Sequence, residues 1–472
     1  MVSVDPLTMD DRLITAVVER MADPDGYAAF RSEGEHCGWC RQPVRLRGRV
    51  SATDIVTGEH EVLFSSSSTP SGVLLKACGT RRETRCPSCA RIYRGDARQI
   101  ISAGLCGGKG VPDTVGVHPA VFATFTAPGF GAVHGVRNKG GRRHPCRPGT
   151  TKARCVHGRP LSCWRRHDDD DSELGEPLCE ECFDYEAAVL FNALASELWR
   201  RTTIYLRRMV ARLAGMTEKE LHQAVRISFA KVVEYQRRGV VHVHAVIRMD
   251  GTGDEPTPPP PGLDAGVLSV AVQMAAKTVR VPVPGSDGEV MGWGAQLDVR
   301  RIAAAGEGPG AQAVANYIAK YATKSTDPTG VLDHRFTSAD DLGTRPIPPH
   351  LRRLVVTAWT LGGRADLAEL RLRYWTHDLG YRGHWLTKSR NWSTTFKALR
   401  EESRAWRLER VRAADPDSLR WSPDAELRAE WEYAGWGWGS RADAYLAESE
   451  RRAADGARRA ASEDRCVDRA DR

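Results

Sequence analysis

Two strand-length apolar runs, Val225 to Tyr235 and Val240 to Met249, are separated only by Gln236-Arg-Arg-Gly239. Runs that close must fold back on each other as an antiparallel hairpin. Side chains alternate across a strand, so His242 and His244 point to one face with Val243 turned to the other. If Arg237, Arg238 and Gly239 form a three-residue loop with Gly239 left-handed, Glu234 pairs opposite His242 and shares the histidine face, as does Gln236. A two-residue loop would turn Glu234 away. Two imidazoles and a carboxylate that leave coordination positions open suit Mg²⁺ or Mn²⁺ serving a phosphate substrate, with Zn²⁺ the alternative. The bland reading is a pair of surface histidines on an amphipathic strand.

The flanking elements follow from periodicity. Val121 to Thr126 reads as a strand stopped by Ala127-Pro-Gly129. Glu186 to Leu213 has helical spacing, as do Leu263 to Thr278 and Ala311 to Thr323, while Gly294 to Ile302 reads as a strand. The order β, α, β, β, α, β, α predicts an α+β fold: an open antiparallel sheet with helices packed on one face. From about Thr395 onward the chain reads as charged helix fraying into a polar tail.

The last of these helices carries Tyr317-Ile-Ala-Lys320-Tyr321-Ala-Thr-Lys324. At about 100° per residue, Tyr317, Lys320, Tyr321 and Lys324 fall within an arc of about 100°, and Ile318, Ala319 and Ala322 face the other way, where they can pack on a sheet. A phenol of pKa about 10 is a weak nucleophile unless its anion is favoured. Neighbouring ammonium groups and a metal favour the phenolate, and both offset phosphodiester charge. The competing reading is an amphipathic helix with solvated lysines.

Lys plus Arg number 68 against 60 Asp plus Glu, a net +8 that permits a polyanionic partner without requiring one. The first residues, with Asp5, Asp10 and Asp11, do not read as a signal peptide, and Ala187 to Trp199 is broken by Asn192 and Glu197, so neither export nor a membrane span is expected. The expected compartment is the cytoplasm. Eleven of the twelve cysteines lie between Cys37 and Cys182. In a reducing compartment they point to metal. Cys37-Gly-Trp-Cys40 and Cys86-Pro-Ser-Cys89 can close one tetrahedral structural zinc site, with Cys78 and His36 as spare ligands. Cys155, Cys163, Cys179 and Cys182 form a second set, with Cys146, His157 and His167 as alternates, giving two zinc ions in all. The Arg-rich loops at 137–147 and 159–166 could track a DNA backbone, or form an ordinary solvated surface. Trp385, Lys388, Arg390 and Trp392 could stack on unpaired bases, though core tryptophans give the same pattern. The Gly-Gly-Lys-Gly run within 104–110 is one residue short of a phosphate-binding loop and lacks its Ser/Thr, so ATP binding is not expected.

In this order the motifs resemble the HUH endonuclease superfamily, and within it the rolling-circle replication initiators of actinobacterial plasmids and integrative conjugative elements. The pieces that carry the resemblance are Cys78-Gly-Thr-Arg-Arg82, Cys86-Pro-Ser-Cys89, His118-Pro119, Phe122-Ala-Thr-Phe-Thr126, Leu178-Cys179, His242-Val-His244, Tyr317 to Lys324 and Gly380 to Ser389. The resemblance implies a nickase of the two-tyrosine type. His242 and His244, with Glu234, would hold a divalent ion. Tyr317 or Tyr321 would attack origin DNA to leave a 5′-phosphotyrosine and a free 3′-hydroxyl, and Lys320 and Lys324 would offset charge. DNA is then the partner, with a host helicase and polymerase completing replication. The expected division is a cysteine-rich region at 1–115, a nickase domain at 116–330 with a zinc-binding insertion at about 134–183, and a C-terminal region at 331–472. A two-tyrosine transposase or conjugative relaxase would use the same residues. A zinc-containing DNA-binding regulator without nuclease activity would need neither phenol, and a zinc-scaffolded interaction protein leaves the Tyr/Lys helix unexplained.

Overall fold

A computed structural model of the chain describes residues 10–150, 152–302, 310–321, 335–342, 347–414 and 425–470. It is a mixed α+β structure in two compact units, one formed by residues 94–396 and the other by 1–93 together with 397–472.

The larger unit is built on a five-stranded antiparallel sheet, in the order Leu297–Arg301, Ala120–Phe125, Val241–Gly251, Val225–Tyr235, Leu386–Lys388. The hairpin expected from the two apolar runs is its centre. Its loop is the three-residue form: Gln236 N–H donates to Val240 O at 2.9 Å, and Gly239 is left-handed at φ +72°. A side chain at Gly239 would also collide with Leu354, since a Cβ there would stand 2.4 Å from Leu354 Cδ1. With this loop Glu234 pairs with His242 and Val232 with His244.

One face of the sheet is apolar. Val121, Ala123, Phe125, Val233, Tyr235, Val243, Ala245 and Ile247 are buried there among residues of the long helix Tyr185–Leu213 and of the helix Ala265–Thr278. Asp184 caps the long helix by accepting from Ala187 N–H at 2.9 Å. Asn192, within that helix, is wholly buried. Its Nδ2 donates to Gly239 O and Leu379 O, both at 3.0 Å, and its Oδ1 accepts from Val241 N–H at 2.9 Å. One of the two residues that interrupt the apolar stretch in sequence is therefore the one that ties the hairpin turn to the helix.

Helices do not occupy one face only. The helix Ala311–Tyr321 lies over the opposite face, with Val314, Ala315, Ile318 and Ala319 buried and Tyr317 in ring contact with Phe122 and His244. Its apolar side supplies the packing that the sequence assigns to it, but on the histidine side of the sheet.

The smaller unit has a four-stranded antiparallel sheet. Val44–Thr53 pairs along its whole length with Glu426–Trp436, and on its other edge with His60–Ser65 and Leu74–Lys76. Leu13, Val17, Phe30, Trp39, Ala442, Leu446 and Ala447 form its apolar core, contributed by the helices Asp11–Ala22, Pro24–His36 and Arg441–Ala470 and by the turn after the second. Glu426–Trp436 is a strand where charged helix was expected. With this pairing, and that of Leu386–Lys388 in the larger unit, the two compact units divide at 93/94 and 396/397. Among the described residues no helix is long and apolar enough to cross a membrane.

Candidate active site

Glu234, His242 and His244 converge on the histidine face, with one ligand-type atom of each within 4.8 Å of the others. Glu234 Oε1 is hydrogen-bonded to His242 Nε2 and lies 3.1 Å from His244 Nε2. The other carboxylate oxygen, Oε2, is buried with no hydrogen-bond partner among the described residues. An orphaned carboxylate oxygen beside two imidazoles is a donor set that a divalent cation would satisfy. Burial alone would push the Glu234 carboxyl up, but hydrogen bonds and charge from His242 and His244 outweigh it and hold the group below the usual carboxylate range. Burial depresses His244, with Glu234 only partly offsetting it, so at neutral pH its lone pair is available to a metal.

Thr124 fixes the orientation of His244. It stands opposite His244 in the ladder, and its Oγ1 lies 3.0 Å from His244 Nδ1, leaving Nε2 to face Glu234. The Phe122 ring stacks on His244 with centroids 5.9 Å apart and meets Tyr317 edge-on at 5.6 Å. Tyr317 meets His244 edge-on at 5.8 Å and remains 44% exposed. Lys320 is exposed one turn along the same helix. The Tyr321 side chain and Lys324 lie outside the described residues. Thr124 and Phe122 belong to a strand segment that the sequence singled out, but their contacts with His244 become evident only once the register is known.

The hairpin turn borders a cleft of about 840 Å³ lined by His134, Arg147, Gln236, Arg237, Arg238 and Gln296, among others. Arg238 donates to Pro128 O at 2.9 Å, Ala127 O at 3.2 Å and Gln236 Oε1 at 2.9 Å, and Arg237 donates to Asp169 O. The acidic run is engaged by basic side chains: Arg143 bonds Asp169 at 2.8 Å and Arg165 bonds Asp171 at 3.2 Å. Trp385 and Trp392 are buried, so their rings are core and not exposed for stacking, while Lys388 Nζ bonds Ser393 O at 2.7 Å and Arg390 is exposed.

The cysteines group differently from the sequence expectation. In the smaller unit the four that converge are Cys40, Cys78, Cys86 and Cys89. Their sulfurs are 3.6 Å (Cys78–Cys89), 3.7 Å (Cys40–Cys86) and 3.7 Å (Cys40–Cys89) apart. Four thiolates about 2.3 Å from one zinc would stand about 3.8 Å apart, so the set has tetrahedral dimensions. Cys37 is displaced because it caps the helix Pro24–His36, where its thiol donates to Gly34 O at 3.4 Å. In the insertion, Cys155, Cys179 and Cys182 gather with His157, whereas Cys163 joins His134, Cys146 and His167. The expected set of Cys155, Cys163, Cys179 and Cys182 is thus divided between two clusters.

A family model described as "Replication initiator protein, pSAM2" (RepSA) matches residues 26–452. A replication initiator protein of Streptomyces ambofaciens is 40% identical over 444 residues, covering 92% of this chain and 91% of its own length. No solved structure matches.

Proposed function

Because the chain belongs to the RepSA family of replication initiator proteins, we propose that it initiates replication by nicking one strand of origin DNA, as an HUH-type enzyme with tyrosine nucleophiles. The observation that carries the reading is the approach of the Tyr317 ring to His244, 5.8 Å between centroids, on the sheet face where Glu234 and His242 converge. Glu234, His242 and His244 would hold Mg²⁺ or Mn²⁺, which when bound supplies Lewis-acid polarisation of the scissile phosphate.

In the proposed step the Tyr317 phenol loses its proton and its oxygen attacks phosphorus. The bond from phosphorus to the 3′ oxygen breaks, and that oxygen takes a proton from water, balancing the one the phenol gives up to solvent, and leaves as a hydroxyl that can prime synthesis, while the 5′ phosphate stays on the tyrosine. Tyr321, one turn along, would serve the second cleavage, and Lys320 and Lys324 would offset charge on phosphate and leaving group. The cleft beside the hairpin, with Arg147, Arg237 and Arg238 in its lining, offers a path for the strand backbone. Host helicase and polymerase would follow the nick. The cluster of Cys40, Cys78, Cys86 and Cys89 would hold a structural zinc.

The test is incubation of purified protein with supercoiled or single-stranded origin DNA and Mg²⁺ or Mn²⁺, followed by mass-spectrometric mapping of the DNA-linked residue. The expected result is a 5′ adduct on Tyr317 or Tyr321 that is absent from the Tyr317→Phe/Tyr321→Phe double variant. A covalent complex that survives in the double variant overturns the reading.

A further inference from the structure

The segment from His134 to Cys182 has, among its described residues, no α-helix and little core of its own. Among its described residues, Leu174 and Pro177 are the buried apolar side chains other than cysteine. Its regular structure amounts to a three-residue-per-strand hairpin, Arg137–Lys139 with Arg142–His144, one 3₁₀ turn and isolated bridges. A stretch of this length with so few apolar contacts needs another source of order.

Two four-ligand clusters supply it, and their ligands alternate along the chain in pairs. His134 and Cys146 belong to the first cluster, Cys155 and His157 to the second, Cys163 and His167 to the first again, and Cys179 and Cys182 to the second. We propose that this insertion binds two zinc ions in a crossed arrangement, the first and third ligand pairs holding one ion and the second and fourth pairs the other.

The geometry of each cluster supports a metal. In the first, His134 Nδ1 and His167 Nε2 are 3.1 Å apart, and Cys163 Sγ is 3.5 Å from His167 Nε2. Ring nitrogens about 2.0–2.1 Å from one zinc would be separated by about 3.3 Å. His167 Nδ1 meets Asp171 Oδ2 at 2.7 Å, the carboxylate contact that commonly fixes a metal-bound imidazole and leaves Nε2 as the ligand. Cys146 Sγ accepts from Gly135 N–H at 3.2 Å, as thiolate ligands do. In the second cluster His157 Nδ1 is 3.3 Å from Cys182 Sγ and 3.6 Å from Cys179 Sγ.

The backbone enforces the crossing. Arg147 and Cys163 exchange N–H···O bonds, both 2.8 Å, and Cys146 N–H donates to Arg165 O at 2.8 Å, which sets the first pair beside the third. Between them the chain turns tightly from Cys155 to Arg159, with Cys155 N–H donating to Arg159 O at 2.9 Å, and this turn presents the second pair. Both donor sets, Cys₂His₂ and Cys₃His, have four protein ligands and leave no open position, so they are structural sites. Because the third pair cannot leave the first without opening the loop that holds the second, the two ions brace one another. The inference stands independently of the nicking reading.

The test uses the zinc-loaded full-length protein. Elemental analysis should find three zinc ions per chain, one at the four-cysteine cluster and two here. Cys182 and Cys106 are both exposed, so their alkylation can be compared within one molecule. Cys182 should be protected until a chelator is added, while Cys106 reacts at once. The crossing is read from paired variants. Cys146→Ser/Cys163→Ser should lose one zinc, and Cys146→Ser/Cys155→Ser should lose two. The reverse pattern overturns the crossing. If a serine variant fails to fold, the wild-type protein decides: fewer than two zinc ions per chain, or Cys182 reacting as fast as Cys106 in the loaded protein, overturns the proposal.

Discussion

Thr124 Oγ1 and His244 Nδ1 stand 3.0 Å apart across neighbouring strands, and this contact determines which imidazole nitrogen faces Glu234. Removing it while keeping the side-chain shape isolates its role. Thr124→Val should leave the thermal midpoint within a few degrees but weaken divalent-ion affinity by roughly 10- to 100-fold, the usual cost of losing such a supporting contact. The measurement is nicking rate against Mn²⁺ concentration. A shift in the half-saturating concentration with the same maximal rate is expected, and an unchanged titration would show that Thr124 does not position the histidine.

The acid limit of metal binding follows from His244 and its neighbour Glu234. His244 is depressed by burial, so the folded protein favours its neutral form. Its contribution is fully present above the ordinary imidazole value of about 6.5 and is lost as pH falls towards the lower folded value. Glu234 is held below the usual carboxylate range, so its contribution is present above about 4.3 and is lost only as pH falls through that lower folded value. Both signs predict that Mn²⁺ affinity, followed by electron paramagnetic resonance, is flat from about pH 8 to 6.5 and falls only on the acid side. A decline that begins above pH 7 would contradict a buried neutral His244.

Much of the larger unit was legible because its signals are local. The hairpin runs and the Tyr/Lys helix each follow from periodicity within about a dozen residues, and the strand Val225–Tyr235 has the expected limits, while the choice between a two- and a three-residue turn needed the backbone. Most of what escaped depends on partners far along the chain. In Glu426–Trp436, Leu427, Ala429, Trp431 and Tyr433 alternate with charged residues, which is the two-residue period of a strand, so the local signal was present and the charged composition on either side hid it. The side of the sheet taken by Ala311–Tyr321 is a matter of packing, because an apolar helix stripe does not specify which sheet face it covers. Cysteine spacing points to candidate metal clusters, but the choice between Cys37 and Cys78 depends on a helix end that spacing does not reveal.

That choice is itself testable. Cys37 is engaged with Gly34 O at a helix terminus, whereas Cys78 Sγ lies 3.6 Å from Cys89 Sγ. Cys78→Ser should therefore reduce the zinc content by one ion per chain, and Cys37→Ser should leave it unchanged. Elemental analysis after gel filtration distinguishes them, and zinc loss from Cys37→Ser alone would reverse the assignment.

Asn192 offers a stability prediction centred on the hairpin. Truncation to alanine strands Gly239 O, Leu379 O and Val241 N–H in a site without solvent. At about 1–3 kcal/mol for each unsatisfied buried group, and with some relaxation, Asn192→Ala should cost roughly 3 kcal/mol or more. Urea unfolding would read this as a lower midpoint with an unchanged slope. A loss below about 1 kcal/mol would mean that the turn does not depend on this side chain.

The same strand that carries the histidines ends in a buried ion pair. Arg248 grips Asp250 through Nε–Oδ1 at 2.6 Å and Nη2–Oδ2 at 2.9 Å, donates to Gly104 O, and lies over the Trp392 ring at 5.2 Å. His118 Nδ1 completes the group at 2.8 Å from Asp250 Oδ1. Both charged side chains are fully buried. Breaking such a pair from one side leaves an uncompensated charge in a low-dielectric site, whereas removing both charges does not. Arg248→Met should therefore destabilise the fold by about 3–5 kcal/mol, and Arg248→Met/Asp250→Leu should recover a large part of that loss. Nicking per folded molecule should be unchanged in both, because neither residue reaches the Glu234 cluster. Additive losses in the double-mutant cycle would show that the two side chains act separately, and a selective fall in nicking would place the network in the chemistry of the site.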